Sequence, residues 1–454
     1  MTGKRKRKLA MPDTLIIVAS VVLLVAILSW IIPSGTYDYQ EMNINGRIRN
    51  VAIDGTYHTI DKSEVTTTGF LGFFSVLYRG CVEAADVIFM ILCCCGTFGV
   101  VVKTGAFHAG IGTILKKLKG KEILLVPIIM MIFGLGGSVF GMASEFYGFY
   151  PLIVGLGVAL GYDAMFGFAI IAVGEFVGFM GATLNPYSVG IAQTISGVEL
   201  YSGTGYRAIC FVIFMAISII YVMVYGRKIK KNPGASVVFG EKNIHAFDRD
   251  ELNEYSFTLK DGLVLLDVLV VLVVLMLGLI KWGWDFPQLC GLFLLMSMIA
   301  AAICKWSPNK WCSEFIDSAK TAMWGCILTG IAKAITVVMQ DAQIMDTVIY
   351  GLSNVLKNAP HAVSAQVMLV VQTLINFFIP SATGQASATM PIMAQLADII
   401  GVSRQTAVLA FQFGDGLSNI FWPTADIVII CGLGGISLQK WYKWFTPLFF
   451  LLSR

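Results

Sequence analysis

The sequence predicts an all-α polytopic membrane protein with two inverted-topology repeats, each holding a re-entrant hairpin and a broken helix, and a small β-hairpin in an external loop. Three observations support this fold class. Hydrophobic residues make up 57% of the chain and charged residues only 13%, whereas soluble domains carry about 25% charged residues. A polar stretch rich in glycine and proline occurs twice, and clusters of lysine and arginine flank the apolar runs.

Residues 1–34 are expected to form a first transmembrane helix. The apolar run from Thr14 to Ile32 follows a basic segment at 4–8, and about 20 apolar residues are enough to cross a bilayer. A secretory signal peptide would also begin with basic residues, but no clear small-residue cleavage site follows the run. The helix is therefore predicted to be retained, with its N-terminus in the cytoplasm, where basic residues accumulate.

Residues 35–68 are polar and are expected to face outward. Asn45-Gly46 and Asp54-Gly55 lie beside short alternating segments, and these dipeptides favour the two-residue turns of β-hairpins. The loop is interpreted as a connector, with a lid over the substrate path as the alternative.

The remaining chain divides into two repeats with a spacer between them. The first repeat is expected at 69–226 and the second at 306–454. A polar cytoplasmic linker at 227–260 and two connecting transmembrane helices at 261–305 separate them. The boundaries follow the shifts between apolar and polar composition along the sequence.

Basic residues set the orientation of the two repeats. Clusters at 116–121 and 227–231 mark cytoplasmic turns, because positive residues stay on the cytoplasmic side. The first repeat therefore begins outside, and the second begins inside. The last apolar run, at 445–452, is too short to span a bilayer alone.

Small residues and acids recur at constant spacing in the two repeats. The matched positions are Ser138, Gly141 and Ser144 with Ser381, Gly384 and Ser387, and Glu175 with Asp415. Close helix packing would explain a single glycine, but it does not explain two acids in register. Broken backbone is tolerated in hydrocarbon only where protein or a wet cavity satisfies it, and secondary transporters build their substrate sites from such helices.

Glu175 and Asp415 are the leading candidates for substrate binding and ion coupling. An acid at mid-membrane costs about 2.5–3.5 kcal/mol on insertion scales, so two acids at matched positions predict a water-accessible site. They could bind a cationic substrate group, Na⁺ or a proton. The alternative is a structural ion pair with a lysine such as Lys333. Asp426 and Glu145 are weaker candidates, because either position also fits a membrane interface.

The hairpin tips supply a second set of candidates for substrate binding. They are Ser138, Gly141 and Ser144 in the first repeat, and Ser381, Thr383, Gly384 and Gln385 in the second. Glycine lets backbone approach a ligand closely. A helix that begins after the tip aims its N–H groups and positive dipole end at the site, which suits a carboxylate. The alternative is a turn that needs small residues for packing.

The helix breaks supply a third set, which comprises Asn185, Asn419, Trp422 and Thr424. Proline removes a backbone donor and leaves carbonyl groups free. Oxygens near Asn185 and Asn419 could therefore coordinate Na⁺ or a substrate ammonium. Trp422 could stack on a cation, or it could pack in the interior.

Together, the three sets predict an amino acid as the substrate. The tips favour a carboxylate, whereas acids and carbonyls favour an amine or guanidinium; a dicarboxylate would need Na⁺ or protons to screen the acids. No other cofactor or metal is predicted, because the four histidines are scattered and the three cysteines at 93–95 diverge around a helix. The expected partners are a small-molecule substrate and the lipid bilayer, not nucleic acid.

Four sequence runs resemble the YfcC family. They are Pro-Ser-Ala-Thr-Gly-Gln-Ala at 380–386, Met-Pro-Ile-Met-Ala at 390–394, Gln-Thr-Ala-Val-Leu-Ala-Phe-Gln-Phe-Gly-Asp-Gly at 405–416 and Trp-Ile-Ile-Pro-Ser-Gly-Thr-Tyr at 30–37. The family belongs with the anaerobic C4-dicarboxylate carriers of the ion transporter superfamily. The resemblance covers nearly the whole chain, although Ser-Ala-Thr-Gly-Gln at 381–385 replaces the family's glycine-serine-glycine-glutamine tip.

The resemblance implies a homodimer in which a transport part moves against a scaffold part like an elevator. It also implies substrates that are either amino acids, as in arginine–ornithine exchange, or dicarboxylates. The expected function is a secondary transporter that moves a cationic amino acid across the cytoplasmic membrane. A Na⁺- or H⁺-coupled C4-dicarboxylate transporter is the alternative.

Other classes fit the sequence less well. A membrane enzyme could use Glu175 and Asp415 as a catalytic carboxylate pair. However, the Gly-x-Gly-Asp motif of intramembrane aspartyl proteases is not met, because Gln412 stands two residues before Gly414. A channel would not show saturation and counterflow. The sequence contains no nucleotide-binding loop, so an ATP-driven pump is not expected.

Overall fold

The computed structural model describes residues 13–44, 47–118, 122–241, 245, 257–357, 360 and 363–453. The predicted all-α polytopic class and the external β-hairpin are confirmed. Within the described residues, six helices are long and apolar enough to cross a membrane. They lie at Thr14–Ile31, Ala85–Lys103, Thr204–Lys231, Leu259–Leu279, Phe286–Ile303 and Met323–Asp341.

The first half of the chain contains nine of the helices that the structure describes. They are α1 (Thr14–Ile31), α2 (Phe70–Glu83), α3 (Ala85–Lys103), α4 (Ala106–Leu118), α5 (Leu125–Leu135), α6 (Phe149–Ala159), α7 (Ala164–Met180), α8 (Val189–Ile195) and α9 (Thr204–Lys231). A wider turn at Gly136–Phe140 and a short one at Ser144–Phe146 join α5 to α6. Helix α9 continues to Lys231, beyond the expected start of the linker at 227.

The second half begins with the two expected connecting helices, α10 (Leu259–Lys281) and α11 (Phe286–Ile303). Eight further helices follow among the described residues. They are α12 (Pro308–Lys320), α13 (Met323–Asp341), α14 (Met345–Lys357), α15 (Ser364–Phe378), α16 (Ala382–Ile399), α17 (Arg404–Ser418), α18 (Asp426–Gly434) and α19 (Leu438–Leu452). The order from α12 to α19 repeats the order from α2 to α9.

Packing between the two copies follows the same correspondence. Helix α2 packs against α13, and its counterpart α12 packs against α3. Within each copy the helix before the hairpin packs on the acid-bearing helix, α5 on α7 and α15 on α17. The two acid-bearing helices α7 and α17 also pack against each other. The two copies therefore share both the order of their helices and the way in which those helices pack.

The start of each acid-bearing helix is fixed by a polar cap. The carboxylate of Asp163 accepts a hydrogen bond from the backbone N–H of Phe166 at 2.7 Å. The Ser403 hydroxyl oxygen accepts one from the N–H of Thr406 at 3.1 Å. A side-chain cap of this kind stabilises a helix by about 1 kcal/mol. Each capping residue lies directly before its helix, so the two caps start α7 and α17 at matched positions of the two copies.

Close approach of α5 and α7 depends on glycine. A Cβ atom at Gly178 would lie 2.1 Å from the carbonyl oxygen of Gly134. A Cβ at Gly137 would lie 2.6 Å from the carbonyl oxygen of Glu175. Small residues let helix backbones meet in this way in membrane proteins. The first hairpin is thereby held directly against the helix that carries Glu175.

The external loop forms two small antiparallel sheets. Strand β1 (Ser34–Thr36) pairs with β4 (His58–Ile60), and β2 (Tyr39–Ile44) pairs with β3 (Arg47–Ala52). Gly55 has a positive φ of 78° in the turn at 54–55, but the β-hairpin predicted there is wrong, because β3 and β4 on its two sides belong to different sheets. The other predicted turn, at 45–46, lies outside the described residues.

Asp346 of α14 anchors this loop to the helices. Its carboxylate accepts hydrogen bonds from the Tyr39 hydroxyl at 2.8 Å and from the backbone N–H of Tyr37 at 3.0 Å. Burial, followed by the nearby Asp346 carboxylate, raises the pKa of Tyr39 above its ordinary value. The Tyr39 hydroxyl therefore remains a donor at neutral pH, and the loop is tied to the second half of the chain.

Candidate functional site

A cavity of about 790 Å³ lies between the two hairpins. Its walls come from β2 and β3, from α13, from the loop after the first hairpin turn, and from the tip and the break of the second copy. The predicted site residues that line it are Ser144, Ser381, Gly384, Asn419, Thr424 and Asp426. The structure thus brings six of the predicted positions to one surface.

The second hairpin tip presents the start of α16 to this cavity. Ser381 caps the helix, and its hydroxyl oxygen accepts from the Gly384 N–H at 3.3 Å. Both residues line the cavity. Thr383 instead donates its hydroxyl to the carbonyl oxygen of Tyr187 at 2.9 Å. One side chain of the tip, Thr383, therefore binds the break of the first copy, and its neighbours Ser381 and Gly384 face the cavity.

Residues of the first hairpin tip mostly hold the hairpin to its own break. The buried Ser138 hydroxyl donates to the carbonyl oxygen of Gly181 at 3.0 Å. Gly141 has φ of +69°, and a Cβ there would lie 2.4 Å from the Asn185 amide oxygen. That oxygen accepts from the N–H groups of Tyr187 and Ser188 at 2.9 and 3.2 Å. Ser138, Gly141 and Asn185 thus shape the turn from behind the cavity.

Glu175 lies in the interior rather than on the cavity wall. Its side chain is fully buried, and Oε2 accepts a hydrogen bond from the Tyr150 hydroxyl at 2.9 Å. Its other oxygen, Oε1, has no hydrogen-bond partner within the described chain. An unsatisfied buried carboxylate oxygen is costly, so this side chain can take up a proton or a cation.

Asp415 occupies the matched interior position on α17. Oδ1 accepts from the amide nitrogens of Asn376 at 2.9 Å and Asn419 at 3.3 Å. Oδ2 has no partner among the described residues, and neither have the side-chain oxygens of Asn376 and Asn419. Each such buried polar atom costs about 1–3 kcal/mol when left unpaired. The unpaired Oδ2 leaves Asp415 with room for one further partner, such as a proton or a cation.

Gln385 joins this interior group. Its amide nitrogen donates to Gln372 Oε1 at 2.7 Å, and its oxygen accepts from Asn376 at 3.1 Å. Gln385 is fully buried. The second hairpin is therefore connected to Asp415 through Asn376, so a change at the tip can reach the acid by direct hydrogen bonds.

Asp426 is the predicted acid that reaches the cavity. Its carboxylate accepts from the Tyr147 hydroxyl at 2.8 Å, and both side chains line the cavity. Tyr147 follows the first hairpin turn, whereas Asp426 begins α18 in the second copy. Together with the Thr383–Tyr187 contact, this bond means that each hairpin touches the break of the opposite copy.

Trp422 packs in the interior, and Thr424 faces the cavity. The Trp422 indole N–H donates to the carbonyl oxygen of Thr373 at 2.6 Å, and its ring lies 5.5 Å from that of Phe377. These contacts favour the packing interpretation of Trp422. Thr424 lines the cavity, and its buried hydroxyl has no hydrogen-bond partner within the described chain.

Several residues in or beside this site were not selected as site residues by the sequence analysis. Among them are Tyr147, Gln372, Asn376 and Lys333, which was considered only as a structural ion-pair partner. Gln372 and Asn376 are four residues apart on one face of α15, and this spacing puts side chains side by side. That polar pair inside an apolar helix was a detectable signal. Tyr147 and Lys333 carry no comparable local pattern.

The charges on the cavity wall are mixed. Glu83 and Asp426 are acidic, and Lys333 is the one basic side chain among its described lining residues. Two unit charges about 4 Å apart interact by about 4 kcal/mol near a protein surface, whereas a helix N-terminus contributes about 0.3–1 kcal/mol to binding an anion. The side-chain charges therefore dominate what the cavity binds.

Helices of spanning length around a cavity with charged residues on its wall, and interrupted helices beside it, are typical of a membrane transport protein. The family described as DcuC, C4-dicarboxylate anaerobic carrier, matches residues 11–452. The chain belongs to this family, and it is a membrane transporter.

Two relatives extend along almost the whole chain. YfcC of Escherichia coli (strain K12), provisionally named a basic amino acid antiporter, is 33% identical over 97% of this chain and 94% of its own length. An uncharacterized protein of Haemophilus influenzae (strain ATCC 51907 / DSM 11121 / KW20 / Rd) is 27% identical over 98% of this chain and 95% of its own length. The resemblance to the YfcC family is confirmed.

Two solved structures of transporters also align with the whole chain. The YdaH transporter of Alcanivorax borkumensis has a TM-score of 0.44 at 14% identity and covers 97% of this chain and 96% of that one. MtrF of Neisseria gonorrhoeae, from a class of antimetabolite efflux pumps, has a TM-score of 0.44 at 16% identity and covers 98% of this chain and 94% of that one.

Proposed function

We propose that this protein is a secondary active transporter that exchanges amino acids, cationic ones of the arginine and ornithine type, across the cytoplasmic membrane. The observation that carries the proposal is the cavity between the hairpins, with Asp426 and Glu83 on its wall beside the exposed start of α16. The acids attract an amine or guanidinium, and the N–H groups of the tip suit a carboxylate. The name given to YfcC points to the same substrate class.

A coupled C4-dicarboxylate transporter is the second candidate. The family description favours it, and so do the unpaired buried oxygens of Asp415, Asn376 and Asn419. Na⁺ or a proton at Asp415 would screen the acids and let an anion enter. In the leading proposal, Glu175 and Asp415 instead act as ion-coupling residues behind the substrate, with the oxygens near Asn185 and Asn419 as cation ligands.

The transport cycle that we propose is of the elevator type. The hairpins and broken helices of both copies would move together as one body against α2, α3, α12 and α13, in a homodimer whose two repeats have inverted topology. The N-terminus would lie in the cytoplasm. The cross-contacts between each hairpin and the opposite break support a single moving body, because they fasten the two copies to each other at the cavity.

A membrane protease is the rival class, and its carboxylate pair would be Glu175 and Asp415. These two acids belong to separate hydrogen-bond groups in the described chain, one with Tyr150 and the other with Asn376 and Asn419. We propose that the protein catalyses no reaction. Cleavage of a membrane-embedded peptide by the wild type, lost on Asp415→Asn, would reverse this proposal.

Counterflow in proteoliposomes tests the substrate class. Vesicles preloaded with ornithine receive labelled arginine or labelled succinate outside, with empty vesicles as the control. The proposal expects saturable arginine uptake driven by internal ornithine. A second set of vesicles is preloaded with succinate. If these vesicles take up labelled succinate, and neither they nor the ornithine-loaded vesicles take up arginine, the dicarboxylate function is established and our proposal is overturned.

A further inference from the structure

Lys333 is an unusual basic residue in this structure. It lies within the membrane-length helix α13, is half-buried, and lines the cavity. Within the described chain it forms no hydrogen bond and no ion pair within 4 Å. Charged side chains inside transmembrane helices are rare and normally paired, because a lone charge there is costly to insert.

Two arginines of the described helices have protein partners, unlike Lys333. Arg207 is fully buried and donates to the carbonyl oxygens of Ser202 and Thr183 at 2.7 and 2.9 Å. Arg404 pairs with Asp398 at 2.7 Å. The contrast indicates that the protein leaves the Lys333 ammonium without a protein partner at the cavity wall, where a ligand can supply one.

Neither of the two acids on the cavity wall, Glu83 and Asp426, forms an ion pair with Lys333 within the described chain. Helix α13 packs against α18, which begins at Asp426. The Asp426 carboxylate nevertheless accepts from Tyr147 at 2.8 Å and forms no ion pair with Lys333. The cavity therefore carries an unpaired cation and a separate carboxylate at the same time. A ligand with a carboxylate and an amine satisfies both.

We propose that Lys333 binds the α-carboxylate of the transported amino acid and makes the cavity selective for zwitterionic substrates over simple amines. The inference rests on the proposed function and names a recognition residue for it. Asp426 holds the cationic end of the same molecule. The α16 N-terminus at Ser381 and Gly384 adds N–H donors to the carboxylate end.

The test compares arginine with agmatine, which has the same guanidinium but no carboxylate. Dissociation constants for both are measured on purified protein, for the wild type and for Lys333→Met, which keeps the chain length and removes the charge. A charge-assisted hydrogen bond lost in a desolvated site weakens binding roughly 10- to 100-fold. Wild type should prefer arginine by that factor, and in Lys333→Met the preference should fall to about one because only arginine binding weakens.

Further variants separate the charge of Lys333 from other effects of the substitution. Lys333→Arg keeps the charge and should retain the preference. Lys320→Met removes an exposed lysine of α12 that pairs with Asp317 at 2.8 Å, and it should match the wild type. If Lys333→Met does not elute as a single folded species, Lys333→Gln replaces it with the same expected result.

Several outcomes would overturn the inference. A preference for arginine that survives Lys333→Met would show that the lysine does not contact the carboxylate. Equal weakening of arginine and agmatine would assign Lys333 a structural role instead. These results leave the proposed function standing. A wild type that binds succinate and neither arginine nor agmatine would overturn the proposed function itself, and this inference with it.

Discussion

The contact between Tyr147 and Asp426 joins a hydroxyl of the first hairpin to the acid that faces the cavity. This 2.8 Å hydrogen bond uses one carboxylate oxygen of Asp426, so the other oxygen is available to a ligand. Charge and hydrogen bond can be separated by substitution, because asparagine removes the charge of Asp426 and phenylalanine removes only the hydroxyl of Tyr147.

Asp426→Asn is expected to reduce arginine counterflow roughly 10- to 100-fold, since a charge-assisted contact to the substrate is lost. Tyr147→Phe is the matched control: it removes a donor to Asp426 but keeps the carboxylate charge that binds the substrate, so it should raise KM less than Asp426→Asn does. Initial rates over a range of arginine concentrations measure both. Wild-type kinetics in Asp426→Asn would remove this acid from the substrate site.

Asp415→Asn should act on coupling rather than on the shape of the cavity. The acid lies behind the lining, bonded to Asn376 and Asn419, so a folded protein that still binds arginine is expected. Any dependence of uptake on a Na⁺ or pH gradient should disappear. Uptake is measured with and without each gradient, and a variant that keeps the full gradient dependence would contradict the role in coupling.

At the scale of helices, close packing of α5 on α7 places the first hairpin. Gly178→Ala would set a Cβ 2.1 Å from the Gly134 carbonyl oxygen, and overpacking of this kind costs about 1–3 kcal/mol. Gly351→Ala is the control, because nothing lies within 4 Å of its Cβ in α14. It should stabilise the helix by about 0.5–1 kcal/mol. Thermal unfolding in detergent should move the two variants in opposite directions.

The Asp346 carboxylate of α14 is one of several anchors of the external strands. Asp346→Ala leaves the Tyr39 hydroxyl and the Tyr37 N–H without their acceptor, so the loop should loosen and be cut faster by an added protease. Exposed Glu41 of β2 provides the control, since Glu41→Ala removes an acid of the same loop but not the anchor. The rate at which protease added outside intact vesicles cuts the loop is measured for both variants. Equal cleavage rates would show that Asp346 does not anchor the loop.

At the scale of the whole molecule, composition and register predicted much of the fold. The matched spacing of Glu175 and Asp415 led to the two copies. The hairpin predicted at 54–55 was wrong, because β3 and β4 each pair with an earlier strand of the loop. The depth of each acid could not be predicted. Which of them meets the cavity depends on contacts between distant segments, such as Tyr147 with Asp426, and these have no signature in either local sequence.

The candidate site shows the same limit. Residues on broken segments, such as Ser381 and Asn419, were found because proline and glycine mark those segments. Lys333 was noted only as a structural counter-ion for an acid, because a single lysine in an apolar run does not reveal what faces it. Asn376 and Gln372 lie in a regular helix, and their role became visible only when Gln385 and Asp415 were placed beside them.

The exchanged packing of α2 on α13 and of α12 on α3 has a consequence for biogenesis. The ribosome completes α2 and α3 long before α12 and α13 exist. The first half therefore enters the bilayer with two helix faces that lack their final neighbours and rest against lipid until the second half arrives. Packing of these two pairs must then wait until α12 and α13 have been made.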